Sequence, residues 1–460
     1  MNNISLNDFI RARISLLLDN IAVIGKDESL RFSDLVELPS NMHGQRVVVY
    51  ISNTVNFIRA LISLDGAVKA LCPISTLTDK EELVHLLSQS QFDAVVTDLN
   101  DEHLEVFASL NLRFFNVEDM SFFDENNLNY RKQNSTWFVP TSGTTSRPKL
   151  VRHEFVSLAA SSLKSKKKNA STEVWGQFYD LTRYAGYQVL FNSLLNGHAL
   201  VTSSSYEQIH ERVSWCAENS VTHISATPSQ WRKILMTGED AIKIPLKQIV
   251  LGGEAADQPL LNALRKHFPK ATITHTYAST EAGLGISVSD GMAGFPLRFL
   301  DDSAGSASIS IRNEKLFLST SSSAFGYSDG IELKDSQGWI DTGDLVKIDG
   351  ERFFIIGRES GIINVGGDKV NPEYVRQILL THPNIDQVSI YGKKNPITGM
   401  VLVADIQLKP NADKELEKKS IKVFVKDKFQ SKDQPRIINI DDEILVSSTG
   451  KLGKNHEIRK

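Results

Sequence analysis

The apolar, strand-length run Thr136-Trp-Phe-Val-Pro140 leads directly into Thr141-Ser-Gly-Thr-Thr-Ser-Arg-Pro-Lys149, and no other stretch of the chain narrows the choice of fold so far. A strand that ends in a hydroxyl- and glycine-rich bend, with a helical pattern over 156–163 behind it, is the start of an α/β unit. Backbone N–H groups freed by Gly143, the hydroxyls of Ser142, Thr144, Thr145 and Ser146, and the ammonium of Lys149 can converge on one polyphosphate. The spacing is not that of a Walker A loop, in which a glycine is followed after four residues by Gly-Lys-Ser/Thr. An ordinary Ser/Thr-rich turn would have the same composition, so the bend alone leaves both readings open.

The same alternation continues along the chain. Strand-like runs at 47–51, 94–97, 199–202, 223–226 and 248–251 are interleaved with helical patterns such as 55–64 and 206–219, which favours α/β layering over a sandwich or a bundle. From 307 to 349 short runs punctuated by Gly and Ser predict a small β-rich subdomain. The best boundary falls at Gly357-Arg-Glu-Ser-Gly361. Beyond it, helices are expected over 370–381 and 416–429 and strands over 388–391 and 401–408, a compact α+β module of viable domain size.

At 460 residues the chain can bury several cores. A formal net charge of −4 with both signs interspersed gives no electrostatic case for nucleic acid. The one basic cluster, Lys164-Ser-Lys-Lys-Lys168, reads as a solvated loop or helix end, with contact to a phosphate-bearing partner as the alternative. Only Cys72 and Cys216 occur, too few for a disulfide framework, and both sit in apolar contexts that predict buried free thiols and a reducing, cytoplasmic setting. Residues 1–24 carry Arg11 and Arg13 and then only a five-residue apolar run, so neither a signal peptide nor a membrane span is expected.

Further segments, in order, resemble the motifs of the adenylate-forming enzymes: acyl- and aryl-CoA synthetases, luciferase and peptide-synthetase adenylation domains. The bend at 141–149 is similar to their phosphate loop. Tyr277-Ala-Ser-Thr-Glu281 resembles their Tyr-Gly-x-Thr-Glu, and Gly338-Trp-Ile-Asp-Thr-Gly-Asp344 their Gly-Trp-x-x-Thr-Gly-Asp. Gly357-Arg358 resembles the start of the hinge motif, and Ser448-Thr-Gly-Lys451 the C-terminal catalytic-lysine motif. Leu30-Arg-Phe-Ser-Asp-Leu35 and residues 47–74 are weaker matches, so the likeness runs from about residue 30 to the end of the chain.

The resemblance implies an α/β fold: a large N-terminal domain of α/β subdomains plus a small β-rich subdomain (1–357), a hinge (358–361), and a small mobile α+β C-terminal domain (362–460). It implies ATP-dependent activation of a small carboxylic acid. A carboxylate oxygen attacks the α-phosphorus, pyrophosphate leaves, and the acyl- or aryl-adenylate passes its acyl group to the thiol of CoA. The phosphopantetheine of a separate acyl carrier protein is the alternative acceptor. A non-catalytic nucleotide-binding regulator is the reading from a different class. An amino-acid adenylation domain is disfavoured, because the usual amino-group aspartate aligns near Tyr184 and Asp180 lies about four residues earlier.

On the same basis Thr141, Ser142, Gly143, Thr144, Thr145 and Lys149 are expected to hold phosphate, and Thr280 to offer a hydroxyl to a phosphate oxygen. Glu281 is the expected Mg²⁺ ligand. Tyr277 presents a ring face for adenine, beside Gly253 and Glu254. Asp344 is placed to accept from the ribose hydroxyls, Arg358 to serve ribose and phosphate, and Lys451 to stabilise charge on carboxylate and α-phosphate. Thr182, Arg183, Tyr184 and Gly186, with Ser225 and Gly252, are expected to line the acid pocket. Ser360 would turn the hinge next to Gly361, and Gly366 and Gly367 would let a pantetheine arm pass. The chain departs from the family pattern at Ser146, Leu150, Ala278 and Ser360, and Thr182 or Arg183 stands where many relatives carry a histidine.

Overall fold

The computed structural model describes the chain except residues 1–3, 18, 36–40, 100–102, 120–133, 142–147, 165–172, 204–206, 302–306, 367, 396–398, 411, 443 and 445–460. Two mixed, mostly parallel sheets form its larger part. In the first, Arg46–Tyr50 lies between Ala70–Pro73 and Ala94–Thr97, and beyond Ala70–Pro73 the sheet continues through Thr136–Pro140 to Leu150–Glu154 and Gly326–Tyr327. In the second, Val174–Gln177, His223–Ala226, Gln248–Leu251 and Thr272–Ser279 run parallel in that spatial order, and Gly283–Val288 closes one edge antiparallel. Runs such as Ala-Val-Val-Thr at Ala94–Thr97 are buried at every residue, as expected for parallel strands covered on both faces.

The expected β-rich subdomain is a five-stranded antiparallel sheet that begins earlier than 307 and ends later than 349. It runs from Phe295–Pro296 through Arg352–Arg358 and Ile340–Asp349 to Lys315–Thr320 and Ala307–Arg312. Residues 363–440 build a separate apolar core, with Val370, Val375, Leu379, Val388, Ile406 and Ile421 at its centre. Its first helix, Pro372–Leu379, starts where the Asn371 side chain accepts from Glu373 N–H and Tyr374 N–H, and Pro372 gives up an N–H that would have had no partner. Its second, Lys414–Lys428, is capped by Asp413 in the same way. Gln377 Nε2 donates to the Ile355 carbonyl, 2.8 Å away, tying this module back to the antiparallel sheet.

One expectation fails at the most informative place. The bend at 141–149 does not lead straight into a helix; it closes a hairpin. Leu150–Glu154 pairs antiparallel with Thr136–Pro140, and the helix expected over 156–163 is split into Phe155–Leu158 and Ala160–Lys164. Arg152, His153 and Glu154 mask the strand, because their polarity hides an alternation in which Val151 and His153 are buried while Arg152 and Glu154 are half exposed. The helix Tyr184–Leu194 then packs between the sheets: Tyr187 meets Trp137 edge-on with centroids 5.4 Å apart and stacks on Phe191. Cys72 and Cys216 are buried free thiols. Among the described residues no helix is long and apolar enough to cross a membrane.

Candidate active site

A cavity of about 490 Å³ opens where the parallel strands of the second sheet end. Such crevices at the carboxyl ends of strands are where open α/β sheets take their ligands. Thr141, Gly252, Gly253, Thr280, Glu281 and Arg358 all reach it. They come from four distant segments, and the folds of two sheets and the antiparallel unit are needed to bring them together.

The mouth of the bend at 141–149 is fixed by reciprocal bonds: Thr141 N–H donates to the Lys149 carbonyl at 2.9 Å, and Lys149 N–H to Thr141 Oγ1 at 3.0 Å. Lys149 Nζ stands 4.6 Å from the centre of the Tyr327 ring, a cation–π contact. The Tyr327 hydroxyl in turn lies 3.4 Å from Glu281 Oε1. Ser142, Gly143, Thr144 and Thr145 lie outside the described residues, as do Gly367 and Lys451.

Asp344 and Arg358 face each other across paired strands, with Arg358 Nε 3.2 Å from Asp344 Oδ1. The Tyr277 hydroxyl donates to Asp344 Oδ2. Burial, reinforced by the adjacent Asp344 charge, pushes the Tyr277 phenol well above its usual pKa, so it stays protonated and keeps donating. Tyr277 and Asp344 therefore support the cavity from behind Arg358 rather than lining it. Glu254 is held by Ser229, whose N–H and hydroxyl donate to Oε2 at 3.0 and 2.6 Å.

On the acid side, Arg183, Tyr184, Ser225 and Gly252 line the cavity as expected, but Thr182 and Gly186 do not. Thr182 donates from N–H and hydroxyl to Asp180 Oδ1, closing the turn before the helix. Gly186 lies against that turn: a Cβ there would sit 2.1 Å from the Asp180 carbonyl oxygen. Arg183 donates from Nη1 to the carbonyls of Pro140 and Thr141 at 3.3 and 3.2 Å, while its buried Nε has no partner among the described residues. Ser360 lies in the 3₁₀ turn Glu359–Gly361, and Gly366, at φ +62°, lines a groove within the C-terminal module and not the main cavity.

The cavity also exposes Asp180 and four residues that no motif marked: Glu173, Trp175, His198 and His223. His198 and Glu173 immediately precede short strands and His223 opens one, positions that read in sequence as ordinary strand ends. Among the described residues no group of three or more His, Cys, Asp or Glu side chains could hold a metal unaided. Mg²⁺ needs no such cage, since it is normally held by one or two carboxylates and substrate phosphates, so Glu281 beside the phosphate bend fits that ion.

A family model described as "AMP-binding enzyme" matches residues 40–315, more than half of the chain. The chain belongs to the AMP-binding enzyme family. Among curated relatives it is similar to the 2-succinylbenzoate–CoA ligase of Bacillus velezensis, 24% identical with 97% of each chain covered. The enzyme of the same name from Bacillus cytotoxicus is 24% identical, with 86% of this chain and 87% of that one covered. Among solved structures, the Bacillus subtilis o-succinylbenzoate CoA synthetase in complex with the acyl-adenylate intermediate OSB-AMP superposes with a TM-score of 0.75 at 20% identity, over 96% of each chain. An anthranilate CoA ligase in complex with anthranoyl-AMP gives 0.77 at 17% identity, over 99% of this chain and 97% of that one. At these identities the structural likeness speaks for the fold of this AMP-binding enzyme.

His153, on the strand that follows the bend, is fully buried; Nε2 lies 2.7 Å from the Thr280 carbonyl oxygen and Nδ1 3.0 Å from Ser157 Oγ. Burial drives its pKa from an ordinary 6.5 down to about 4, against an opposing pull from the Thr280 carbonyl. The folded pKa is the lower one, so the unfolded chain takes up the proton first and stability falls as pH drops below about 6.5. Between pH 7 and 4.5 the loss is about 2–3 kcal/mol. Urea unfolding at the two pH values measures it, and His153→Gln removes that part of the pH dependence.

Proposed function

We propose that this chain is an AMP-forming acid–thiol ligase, which joins a small carboxylic acid to ATP and then passes the acyl group to CoA. The observation that carries the reading is the convergence of Thr141, Gly252, Thr280, Glu281 and Arg358 on one cavity at the strand ends, inside a family named for AMP binding. The names of the relatives, CoA ligases over nearly the full length of the chain, support CoA as the acceptor.

In this reading two anions must meet, so the site has to supply positive charge. Arg358, oriented by Asp344, serves the ribose and phosphate side, and Lys149 and the bend at 141–147 take the β- and γ-phosphates. Glu281 would hold Mg²⁺, which supplies charge neutralisation at the phosphates. Thr280 offers its hydroxyl to a phosphate oxygen, Gly253 and Glu254 form the adenine side, and Tyr277 braces Asp344 behind Arg358. Arg183 fixes the end of the Thr136–Pro140 strand against the helix that carries Tyr184, which keeps the acid wall and the phosphate bend in register. The separate core of residues 363–440 supports the division into an N-terminal part (1–357), a hinge at 358–361 including Ser360, and a C-terminal part (362–460) that brings Lys451 to the first step and Gly366 and Gly367 to the thiol. Buried free Cys72 and Cys216 suit a cytoplasmic, reducing setting.

Exchange of labelled pyrophosphate into ATP, run across a panel of carboxylic acids, tests the reading. An acid-dependent rate, followed by thioester formation once CoA is added, is the expected result. The absence of exchange with every acid tried, while nucleotide still binds, would leave only a nucleotide-binding protein.

A further inference from the structure

The cavity continues past the reacting end to the opposite ends of the same strands. The parallel strands Val174–Gln177, His223–Ala226 and Gln248–Leu251 have Tyr179, Thr227 and Gly252 beyond their C-terminal ends, whereas Glu173, His223 and Gln248 stand at their beginnings, and all six line the cavity. Four residue steps from His223 to Thr227, at about 3.3 Å each, put the two ends roughly 13 Å apart. In between, alternate sheet residues such as Ser225, Val250 and Thr276 face Ala185, Val189 and Asn192 of the helix Tyr184–Leu194.

The far end is polar and nearly dry. His198 Nε2 and His223 Nε2 lie 3.4 and 3.3 Å from the same oxygen, Glu173 Oε2, with side-chain exposures of 2%, 7% and 12% for the three residues. Trp175 packs on the His223 ring with centroids 4.9 Å apart, and its indole nitrogen is buried with no partner among the described residues. Polar groups buried this deeply are costly unless something answers them. A hydrocarbon tail would leave the indole N–H without an acceptor. A second carboxylate would meet the Glu173 charge, and the arginines of the cavity wall, Arg183 and Arg358, stand at the other end; like charges sharing a site repel. An ammonium has no lone pair for the indole N–H. A hydroxyl can donate to the carboxylate cluster and accept from an N–H donor.

We propose that the cluster of Glu173, His198, His223 and Trp175 is a recognition subsite for a hydroxyl group on the acid, so that the substrate is a hydroxy acid, with its hydroxyl about 10 Å from the carboxyl that is activated. This rests on the ligase reading for the chemistry but not for the binding. Sites that hydrogen-bond a substrate hydroxyl reject the analogue lacking it far more strongly than apolar pockets reject a missing methylene.

The test uses 3-(4-hydroxyphenyl)propanoate and its 4-methyl and 4-carboxy analogues as probes, in pyrophosphate exchange and in calorimetric binding. The hydroxy acid should exceed the methyl analogue by about a hundredfold or more in kcat/KM. Glu173→Leu should erase most of that ratio with the KM for ATP unchanged, and Glu173→Gln, which keeps the shape, should reduce it at least tenfold if the leucine variant does not fold. A preference for the methyl or carboxy analogue, or an equal loss for all three acids, overturns the proposal while the ligase reading stands. If no acid supports exchange, the ligase reading fails, and calorimetry decides the subsite: tighter binding of the hydroxy acid, lost in Glu173→Gln, upholds it, and equal binding of the three acids overturns it.

Discussion

Lys451→Ala is expected to lower acid-dependent pyrophosphate exchange by about 10²–10³-fold, the usual cost of removing one donor aimed at charge that develops in a transition state. Thioester formation from a preformed acyl-adenylate and CoA stays near the wild-type rate, because that half-reaction has no triphosphate to neutralise. The split between the two half-reactions is the informative readout. Lys454, Arg459 and Lys460 lie in the same tail and carry the same charge; alanine at Lys454 leaves both rates unchanged if the motif, rather than the general basicity of the tail, does the chemistry. Equal loss in both half-reactions for Lys451→Ala would point to a folding defect or a wrong assignment.

Asp344→Ala gives the second large effect, in nucleotide affinity. Asp344 is 6% exposed and receives both the Tyr277 hydroxyl and Arg358 Nε. Removing it leaves the buried phenol without its acceptor and lets the Arg358 guanidinium, which reaches the cavity, turn away. The unpaired phenol costs about 1–3 kcal/mol of stability; the ion pair adds little to that, since the Arg358 side chain is 39% exposed and screened by solvent. The KM for ATP should rise by about tenfold, the loss of one charge-assisted hydrogen bond of roughly 1.5 kcal/mol from an Arg358 no longer held in place, while the KM for the acid changes little. Asp344→Asn keeps the shape and one acceptor, so it should recover stability before it recovers affinity. A KM for ATP unchanged in both variants would remove Asp344 from the nucleotide site.

Where the chain is locally consistent, sequence and structure agree residue for residue. The strands Ala94–Thr97, His223–Ala226 and Gln248–Leu251 have their expected limits: the first is a short run buried at every residue, and the other two keep a buried alternate face. Where a polar residue is buried for a tertiary reason, they part. His153 sits inside a strand because the Ser157 hydroxyl and the Thr280 carbonyl take part in its bonds, and the second partner, 127 positions away, is not visible from its neighbours in sequence. The helix expected over 206–219 begins only at Ile209, where Gln208 and Glu211 form a capping box.

The order of the motifs was enough to determine the family, the α/β class and the residues to inspect around a nucleotide, since each motif is a local arrangement of donors and turns that its own few residues specify. The tertiary structure decided that Thr182 closes a turn instead of facing the acid, that Arg183 is occupied by backbone carbonyls, and that Glu173, His198 and His223 meet at one oxygen. Those three residues are 25 positions apart in the chain, each at the start of a different strand, and only the parallel pairing of those strands puts their side chains within hydrogen-bonding range. Contacts of that kind depend on sheet order, which no single segment encodes.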